Sequence, residues 1–373
     1  MTTSLKPVGL GIIGCGKISQ AYFDGAKTFE ILKVVGCADL NPAVSQAQAK
    51  ANGCEAMSVD ELLAHPEIEL VINLTIPAAH AEVSRKILEA GKHSYCEKPI
   101  TVDLEDAQEL LALAKEKDLL VGSAPDTFLG GGIQTCRQII DSGALGRIVS
   151  GTAFMMGRGP ESWHPNPGFY YLKGGGPVLD MAPYYLTALI NLIGPVASVQ
   201  AHTSKAFETR IATCKEHNGE ELPVEVSTHC SAILEFVSGA VITAVFSFDV
   251  PKHGHSPIEL YGTKGSLKVP DPNTFGGPVQ QYLLDYEEKE WKDVELTFGY
   301  DSNMRSIGAA DMAYAIRTDR PYRANGDVAT HVLEVMHAFE KSSDSQQAVT
   351  ISSRPERPKA LPEGLVEGLL DES

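Results

Sequence analysis

The sequence is short of positive charge. Its 373 residues include 31 Lys and Arg against 48 Asp and Glu, which gives a formal net charge of −17 at pH 7. Nucleic acids and anionic membrane surfaces need a basic face on their protein partners, so the sequence argues against both as the main partner. A local cationic pocket for a small anion stays compatible with this composition.

Paired cysteines and long apolar runs are also lacking. The seven cysteines are scattered without a Cys-x-x-Cys pair, which predicts free thiols in a reducing, cytoplasmic setting. No run approaches the roughly 18 apolar residues of a membrane helix, so no membrane segment is expected. His253-Gly254-His255 has no acidic or cysteine partner in ligand spacing, and the sequence therefore predicts no metal site.

Two regions differ in their pattern of apolar residues. Residues 1–126 alternate strand-like and helix-like segments, which predicts an α/β Rossmann domain with a doubly wound parallel sheet. Residues 127–373 hold many short strand-like runs separated by turn signals, with helices expected at about 181–192, 305–317 and 326–342. This second region predicts an α+β domain built on a large, mostly antiparallel sheet.

A glycine loop follows the first strand-like run. The spacing Gly14-x-Gly16-x-x-Ser19 matches the dinucleotide fingerprint, with serine at the small third position. Asp39 ends the next strand, where a carboxylate binds ribose hydroxyls and repels a 2′-phosphate. The pattern predicts NAD rather than NADP. The alternative is an aspartate that caps a helix in a sheet without a nucleotide.

The sequence Glu97-Lys98-Pro99 ends a later strand of the same sheet. Ligands of open α/β sheets lie beyond the carboxyl ends of the strands, so Lys98 is expected near the cofactor crevice. Burial there would lower the pKa of Lys98 and suit it to hold a substrate hydroxyl. The alternative is an ordinary surface turn.

A glycine-rich segment, residues 174–180, precedes an apolar helix expected from about Met181. Asp180 is expected at or near the N-cap of this helix, with Pro183 in its first turn. Asp180 and Tyr184 are four residues apart and would share one helix face. The alternative is a capping aspartate and a core tyrosine with no chemical role.

Together these segments resemble the Gfo/Idh/MocA family of nicotinamide-dependent oxidoreductases. The resemblance covers nearly the whole chain, and the matching segments are residues 11–18, 76–80, 90–99, 143–148 and 174–180. It implies a Rossmann domain followed by an α+β domain whose open sheet face forms homodimers or homotetramers. The family's usual pattern Asp-x-Gly-x-His is altered here, with Ala182 and Tyr184 in place of glycine and histidine. Some family members share the tyrosine.

The resemblance also implies site residues. Those expected to bind the cofactor are Gly14, Gly16, Lys17, Ile18, Asp39, His80, Glu97 and Lys98. Those expected to catalyse the reaction are Lys98, Asp180 and Tyr184, which would also bind the substrate. A polar aromatic loop is expected to line the same site through Arg158, Trp163, His164 and Asn166, with a proline-stiffened surface loop as its alternative.

The implied chemistry is oxidation of a hydroxyl of a sugar, sugar derivative or cyclic polyol to a carbonyl. Tyr184 would take the hydroxyl proton, and the Lys98 ammonium would stabilise the negative charge that develops. Two alternatives stay open. One is a redox-neutral glycosidase or sugar oxidoreductase with tightly bound, recycled NAD(P), and the other is a non-catalytic, nucleotide-dependent regulator.

Overall fold

Strands and helices alternate along the first third of the chain and build one parallel sheet. The computed structural model describes residues 5–371. Its first elements are β1 (Val8–Ile13), α1 (Ser19–Thr28), β2 (Leu32–Ala38), α2 (Pro42–Asn52), β3 (Glu55–Ala56), α3 (Val59–Ala64), β4 (Leu70–Asn73), α4 (His80–Glu89), β5 (His93–Cys96), α5 (Leu104–Glu116) and β6 (Val121–Ser123). A 3₁₀ turn, Pro77–Ala79, directly precedes α4.

The strand order is β3-β2-β1-β4-β5-β6, and all five pairings are parallel. The chain therefore reverses direction across the sheet between β1 and β4, and the crevice at their carboxyl ends is where such sheets bind ligands. Strands β1 and β4 are buried along their whole length, because helices cover both sheet faces. The predicted doubly wound Rossmann sheet is confirmed.

A second, larger sheet follows. Its elements are α6 (Gly131–Asp141), β7 (Ile148–Met156), α7 (Gly176–Ile193), β8 (Val196–Ser204), β9 (Thr209–Ile211), β10 (Glu221–Pro223), β11 (His229–Phe236), β12 (Val241–Ser247), β13 (Ile258–Gly262), β14 (Gly265–Val269), β15 (Val279–Leu283), β16 (Lys292–Val294), α8 (Ile307–Thr318), α9 (Gly326–Ser345) and β17 (Val349–Thr350). Nine of these strands pair in the order β16-β15-β14-β13-β7-β12-β11-β8-β17, while β9 and β10 form a separate hairpin. The pairings are antiparallel except β7 with β12, which confirms the mostly antiparallel prediction.

The nine-stranded sheet has one covered face and one open face. Helices α6, α7 and α9 pack on the covered face. Paired residues on the open face form a row across five strands: Gln200, Ile233, Thr243, Thr152 and Glu259. These five side chains are exposed or half-buried.

The last helices return to the first sheet. Helix α8 packs on α1 and β6, and α9 packs on α5 and β6. The Ser123 amide donates to the Ala324 carbonyl at 3.1 Å, which ties β6 to the segment before α9.

The predicted domain border at residue 126 stays a prediction. No helix within residues 5–371 is both long and apolar enough to cross a membrane.

Helix α7 begins earlier than the sequence pattern predicts. Gly175 is its N-cap and Pro177 lies in its first turn, so the helix starts at Gly176 instead of about residue 181. A proline in the first turn is a start signal, because its fixed φ suits the helix and its missing N–H is not needed there. The prediction was wrong on two points: Asp180 lies in the second turn and not at the N-cap, and Pro183 lies inside the helix.

Candidate active site

The glycine loop between β1 and α1 lies at the crevice. Gly14 has φ of 97°, and a Cβ at this position would meet the Leu74 carbonyl oxygen at 2.6 Å. Gly14 is therefore required by the protein's own backbone. At Gly16 a Cβ would meet no atom of the described residues within 4 Å. Open space at the second glycine of this fingerprint is what close approach of a pyrophosphate to the loop requires.

Helix α1 begins directly after this loop, where the Ser19 amide donates to the Gly16 carbonyl at 3.1 Å. Its N-cap is Ile18, no side chain caps the helix, and no acidic residue lies in the first turn. Uncapped N-terminal amides carry a partial positive charge and bind phosphate. The Ser19 hydroxyl donates to the Gly16 carbonyl at 2.7 Å and fixes the turn. Lys17 is exposed beside it.

Asp39 connects the ends of β1 and β2. Its carboxylate accepts hydrogen bonds from the Cys15 amide and the Asn41 amide, both at 2.8 Å. The cap of α2 is Asn41, whose side chain accepts from the Ala43 amide at 3.1 Å. Asp39 is thus not the helix cap of the alternative interpretation. It remains half-buried at the crevice edge, where ribose hydroxyls would reach it.

Two exposed apolar residues flank the glycine loop, and the sequence analysis missed both. Leu40, after β2, is 98% exposed, and Ile76, after β4, is 70% exposed. Both lie just beyond the carboxyl ends of strands adjacent to β1, at the edge where such sheets bind ligands. An isolated apolar residue on the surface is common and carries no signal by itself. Only the position of these two residues directly after a strand could have marked them in the sequence.

Lys98 and Asp180 meet across the crevice between β5 and α7. The Lys98 Nζ donates to the Asp180 Oδ1 at 2.8 Å and to the Asp180 carbonyl oxygen at 2.6 Å. It also lies 5.1 Å from the centre of the Tyr184 ring. The structure therefore brings the three predicted catalytic residues together, from chain positions more than eighty residues apart.

The expected pKa change of Lys98 was wrong in direction. Burial of the ammonium works to lower its pKa, but its interactions with the nearby Asp180, Tyr184 and Glu97 side chains outweigh burial and raise it. Lys98 therefore stays protonated at neutral pH. It is suited to act as a fixed cation and donor, and it is unsuited to act as a general base.

Glu97 anchors the loop that carries Lys98. Its carboxylate accepts from the Tyr22 hydroxyl and the Lys98 amide, each at 2.8 Å. The Arg305 guanidinium lies 3.7 Å from the same carboxylate. Burial works to raise the pKa of Glu97, but Arg305 and Lys98 outweigh it and hold the pKa below its usual value. Glu97 is thus a buried anion that fixes the position of Lys98.

Arg305 is a site residue that the sequence analysis missed. It precedes α8, is 9% exposed, and its Nη1 has no hydrogen-bond partner within residues 5–371. Burial works to lower its pKa, yet Tyr184 and Glu97 raise it further than burial lowers it. Behind it, burial raises the pKa of Asp126 to about 6. No sequence pattern links a late arginine to this site, because only the packing of α8 on α1 brings it there.

His80 joins two loops of the crevice. Its Nδ1 lies 2.6 Å from the Pro99 carbonyl and its Nε2 lies 3.0 Å from the Thr75 carbonyl. Burial lowers the pKa of this histidine, and a neutral ring donates only one of these two hydrogen bonds at a time. The structure gives His80 a positioning role between the loops after β4 and β5. A direct contact with the cofactor stays a prediction.

The aromatic loop reaches the site through Tyr170. Its ring centre lies 5.0 Å from His164 and 6.4 Å from Trp163. Burial, together with the adjacent charge of Asp180, raises the pKa of Tyr170 to about 12. Tyr170 thus lies between the loop and the Lys98–Asp180 pair. The sequence analysis missed Tyr170 because only its position in the folded protein gives it a possible role at the site.

The other residues of the loop have separate surroundings. The His164 Nδ1 lies 2.8 Å from the Asn166 carbonyl, a contact within the loop, and Trp163 is 63% exposed. Arg158 lies on a different cavity, beside Arg210. No group of three or more His, Cys, Asp or Glu residues in the described part of the chain is arranged to hold a metal ion.

Comparison with known proteins assigns this architecture to a family. The family model described as an oxidoreductase family with an NAD-binding Rossmann fold matches residues 8–124, and the GFO/IDH/MocA C-terminal domain matches residues 133–268. An uncharacterized oxidoreductase of Schizosaccharomyces pombe is 34% identical over 93% of this chain and 100% of its own length. The chain belongs to the Gfo/Idh/MocA family. It is an oxidoreductase with an NAD-binding Rossmann domain.

Other Gfo/Idh/MocA proteins resemble it over most of their length. A dTDP-3,4-didehydro-2,6-dideoxy-alpha-D-glucose 3-reductase of Saccharopolyspora spinosa is 30% identical over 82% of this chain and 86% of its own. An inositol 2-dehydrogenase of Rhizobium meliloti is 26% identical over 70% of this chain and 74% of its own. The solved structure of levoglucosan dehydrogenase with NADH has a TM-score of 0.79 at 20% identity and covers 93% of this chain and 100% of its own, which shows a shared fold.

Proposed function

We propose that this protein is an NAD-dependent dehydrogenase that oxidises a hydroxyl of a sugar, sugar derivative or cyclic polyol. The observation that carries the proposal is the Lys98–Asp180 ion pair under the Tyr184 ring, at the carboxyl edge of a dinucleotide-binding sheet. The relatives named above include an inositol 2-dehydrogenase and a levoglucosan dehydrogenase, which supports the substrate class.

The residues of the crevice fit NAD. The open space at Gly16 and the uncapped amides of α1 fit a pyrophosphate, while Asp39 fits the hydroxyls of a ribose. No arginine or lysine follows Asp39 within the loop to α2 that could hold a 2′-phosphate. When NAD is bound, its nicotinamide supplies the hydride acceptor for oxidation of the alcohol carbon.

Tyr184 is the proposed base. Alcohol oxidation releases a proton from the substrate hydroxyl, and the Tyr184 phenolate oxygen would take it while the hydride leaves the carbon. The Lys98 ammonium lies beside the phenol and stabilises negative charge first on the tyrosine and then on the substrate oxygen. Arg305 adds a second positive charge on the side of Glu97.

Asp180 and Glu97 position the ammonium. Asp180 accepts two hydrogen bonds from the Lys98 Nζ through its side chain and its main chain, and Glu97 holds the Lys98 amide. These hydrogen bonds fix the orientation of the Lys98 side chain before the substrate binds. Pre-arranged charge of this kind is effective because the site does not reorganise during the reaction. Trp163 and Tyr170 offer aromatic faces on which a sugar ring would stack.

The proposal is tested by incubating the protein with NAD, or with NADP, and a panel of aldoses, glycosides and inositols. The absorbance of reduced nicotinamide reports turnover. We expect activity with NAD on at least one sugar or polyol class, and kcat lower by about 100-fold or more in Lys98→Met and in Tyr184→Phe.

Matched controls are Lys173→Met, a lysine with an 83% exposed side chain, and Tyr282→Phe on strand β15, which lies between β14 and β16, both expected to keep wild-type kcat. Normal kcat in both Lys98→Met and Tyr184→Phe would refute the assigned roles. Nucleotide released only on denaturation, without turnover of free NAD, would instead favour an enzyme that retains and recycles its cofactor.

A further inference from the structure

A second cavity lies outside the cofactor crevice, at the ends of β7 and β12. Its volume is about 610 Å³, within the range of ligand pockets in proteins. The 3₁₀ turn Pro160–Ser162, the β9–β10 hairpin and residues 248–251 form its walls. None of the residues that the resemblance implied as catalytic lines this cavity.

The floor of the cavity is held by buried ion pairs. The Arg210 guanidinium is 7% exposed and donates to the Glu161 Oε1 at 2.6 Å, to the Phe248 carbonyl at 3.1 Å and to the Asp249 carboxylate. Thr228 donates to the second oxygen of Asp249 at 2.7 Å. Because both carboxylates are fixed, the cavity keeps its shape without a ligand.

The lining combines balanced charge with an aromatic face. Arg210 and the exposed Arg158 balance the charges of Glu161 and Asp249, so the cavity has no net charge to favour an anion or a cation. Phe207 is 55% exposed, with the Arg210 guanidinium 5.2 Å from its ring centre. Hydroxyl groups of Ser162, Thr209 and Thr213 complete the wall. A neutral polyhydroxylated ring matches this surface, since it can stack on the aromatic face and exchange hydrogen bonds with donors and acceptors alike.

The cavity and the Lys98 site share one wall. Phe248 lines the cavity and lies 6.5 Å, between ring centres, from Tyr170. Tyr170 in turn faces Asp180 and Lys98, whose charges act on its hydroxyl. A single chain segment, residues 158–171, thus runs from a wall of the cavity to the turn that packs on α7, the helix that carries Asp180.

We propose that this cavity is a second carbohydrate subsite, so that the substrate is a neutral glycoside of at least two units. One ring lies at Lys98 for oxidation, and the next lies against Phe207. This inference rests on the proposed dehydrogenase activity and narrows its substrate class from sugars in general to disaccharides and longer glycosides.

The test compares kcat/KM for glucose, cellobiose, maltose and the anionic disaccharide lactobionate with NAD as cofactor. Wild type is expected to prefer a neutral disaccharide to glucose by about tenfold or more. Thr209→Trp fills the cavity, and Phe207→Ala removes the aromatic face. Each is expected to lower kcat/KM for the disaccharide about tenfold and to leave kcat/KM for glucose within about twofold of wild type.

Lys215→Trp is the matched control, because Lys215 is exposed between β9 and β10 and does not line the cavity. Wild type that prefers glucose, variants that leave the disaccharide preference unchanged, or a preference for lactobionate would each overturn the inference. Absence of turnover with every member of the wider panel of aldoses, glycosides and inositols would contradict the proposed function instead. In that case, calorimetric titration of the NAD-loaded protein with cellobiose and maltose tests the subsite independently of turnover. The subsite is supported only if binding is observed and Thr209→Trp abolishes it.

Discussion

Single residues of the cofactor loop are constrained by two different causes. Gly14 adopts a positive φ against the Leu74 carbonyl, so the folded backbone itself requires glycine. Gly16 has open space around it, so a side chain there would conflict only with a bound ligand. The two glycines of one fingerprint therefore carry different requirements, one for folding and one for binding.

This difference gives a prediction for Gly16→Val. The variant is expected to fold with the wild-type melting temperature, because its β-carbon meets no protein atom among the described residues. It is expected to lose the rise in melting temperature on adding NAD, which corresponds to about 2.7 kcal/mol at a ligand concentration of 100 Kd in wild type. Gly14→Val, by contrast, is expected to lower the melting temperature without ligand. A Gly16→Val protein with the wild-type NAD response would contradict the assignment.

Helices α7 and α9 and strand β8 meet at His331, which is fully buried in α9. The Val196 amide donates to the His331 Nε2 at 3.0 Å, so this nitrogen is unprotonated, and Nδ1 lies 2.6 Å from the Ser353 hydroxyl. Burial lowers the pKa of His331 to about 4. Protonation would break the bond to Val196 and place a charge in the core.

The unfolded chain binds this proton near pH 6.5, whereas the folded protein resists it down to about pH 4. The stabilisation is therefore complete above pH 6.5 and is lost progressively as the pH falls towards 4. From pH 7 to 5 this one residue is expected to lower the free energy of unfolding by about 2 kcal/mol. In urea denaturation, the free energy of unfolding of His331→Gln is expected to fall by about 2 kcal/mol less from pH 7 to 5 than that of the wild type. The exposed His202→Gln serves as a control, and equal slopes in both variants would count against the assignment.

At the scale of the whole molecule, the open face of the nine-stranded sheet has no covering element within residues 5–371. Its exposed row includes the apolar Ile233, 49% exposed, and nearby Val241, 41% exposed. We expect this face to pair with a second copy of the chain as a homodimer, or as part of a homotetramer. Burial of these exposed apolar side chains against the same face of a second copy would stabilise such a pair.

The prediction is that Ile233→Glu dissociates the oligomer to a monomer, because it places a charge at the centre of the interface on both copies. Light scattering coupled to size-exclusion chromatography measures the mass. Val366→Glu, a change at an equally apolar residue of the C-terminal segment, 66% exposed, is expected to leave the mass unchanged. A wild-type monomer at micromolar concentration would rule out the assembly.

The sequence by itself determined the parts of this protein that depend on local order. Period-two and period-3.6 patterns located most strands and helices, and the spacing from Gly14 to Asp39 located the cofactor loop. Lys98 was located by the turn that ends its strand. The start of α7 was misplaced because the apolar pattern outweighed the Gly175–Pro177 signal, which moved Asp180 into the helix.

Tertiary structure alone decided which distant residues share one environment. Arg305 reaches Glu97 because α8 packs on α1, and Tyr170 lies beside Asp180 because the aromatic loop folds back on α7. The charge state of Lys98 likewise depends on the carboxylates gathered around it, which outweigh burial and reverse the expected change in its pKa. Such contacts join residues far apart in the chain, so no spacing rule records them, and only the packed fold specifies the field in which each group ionises.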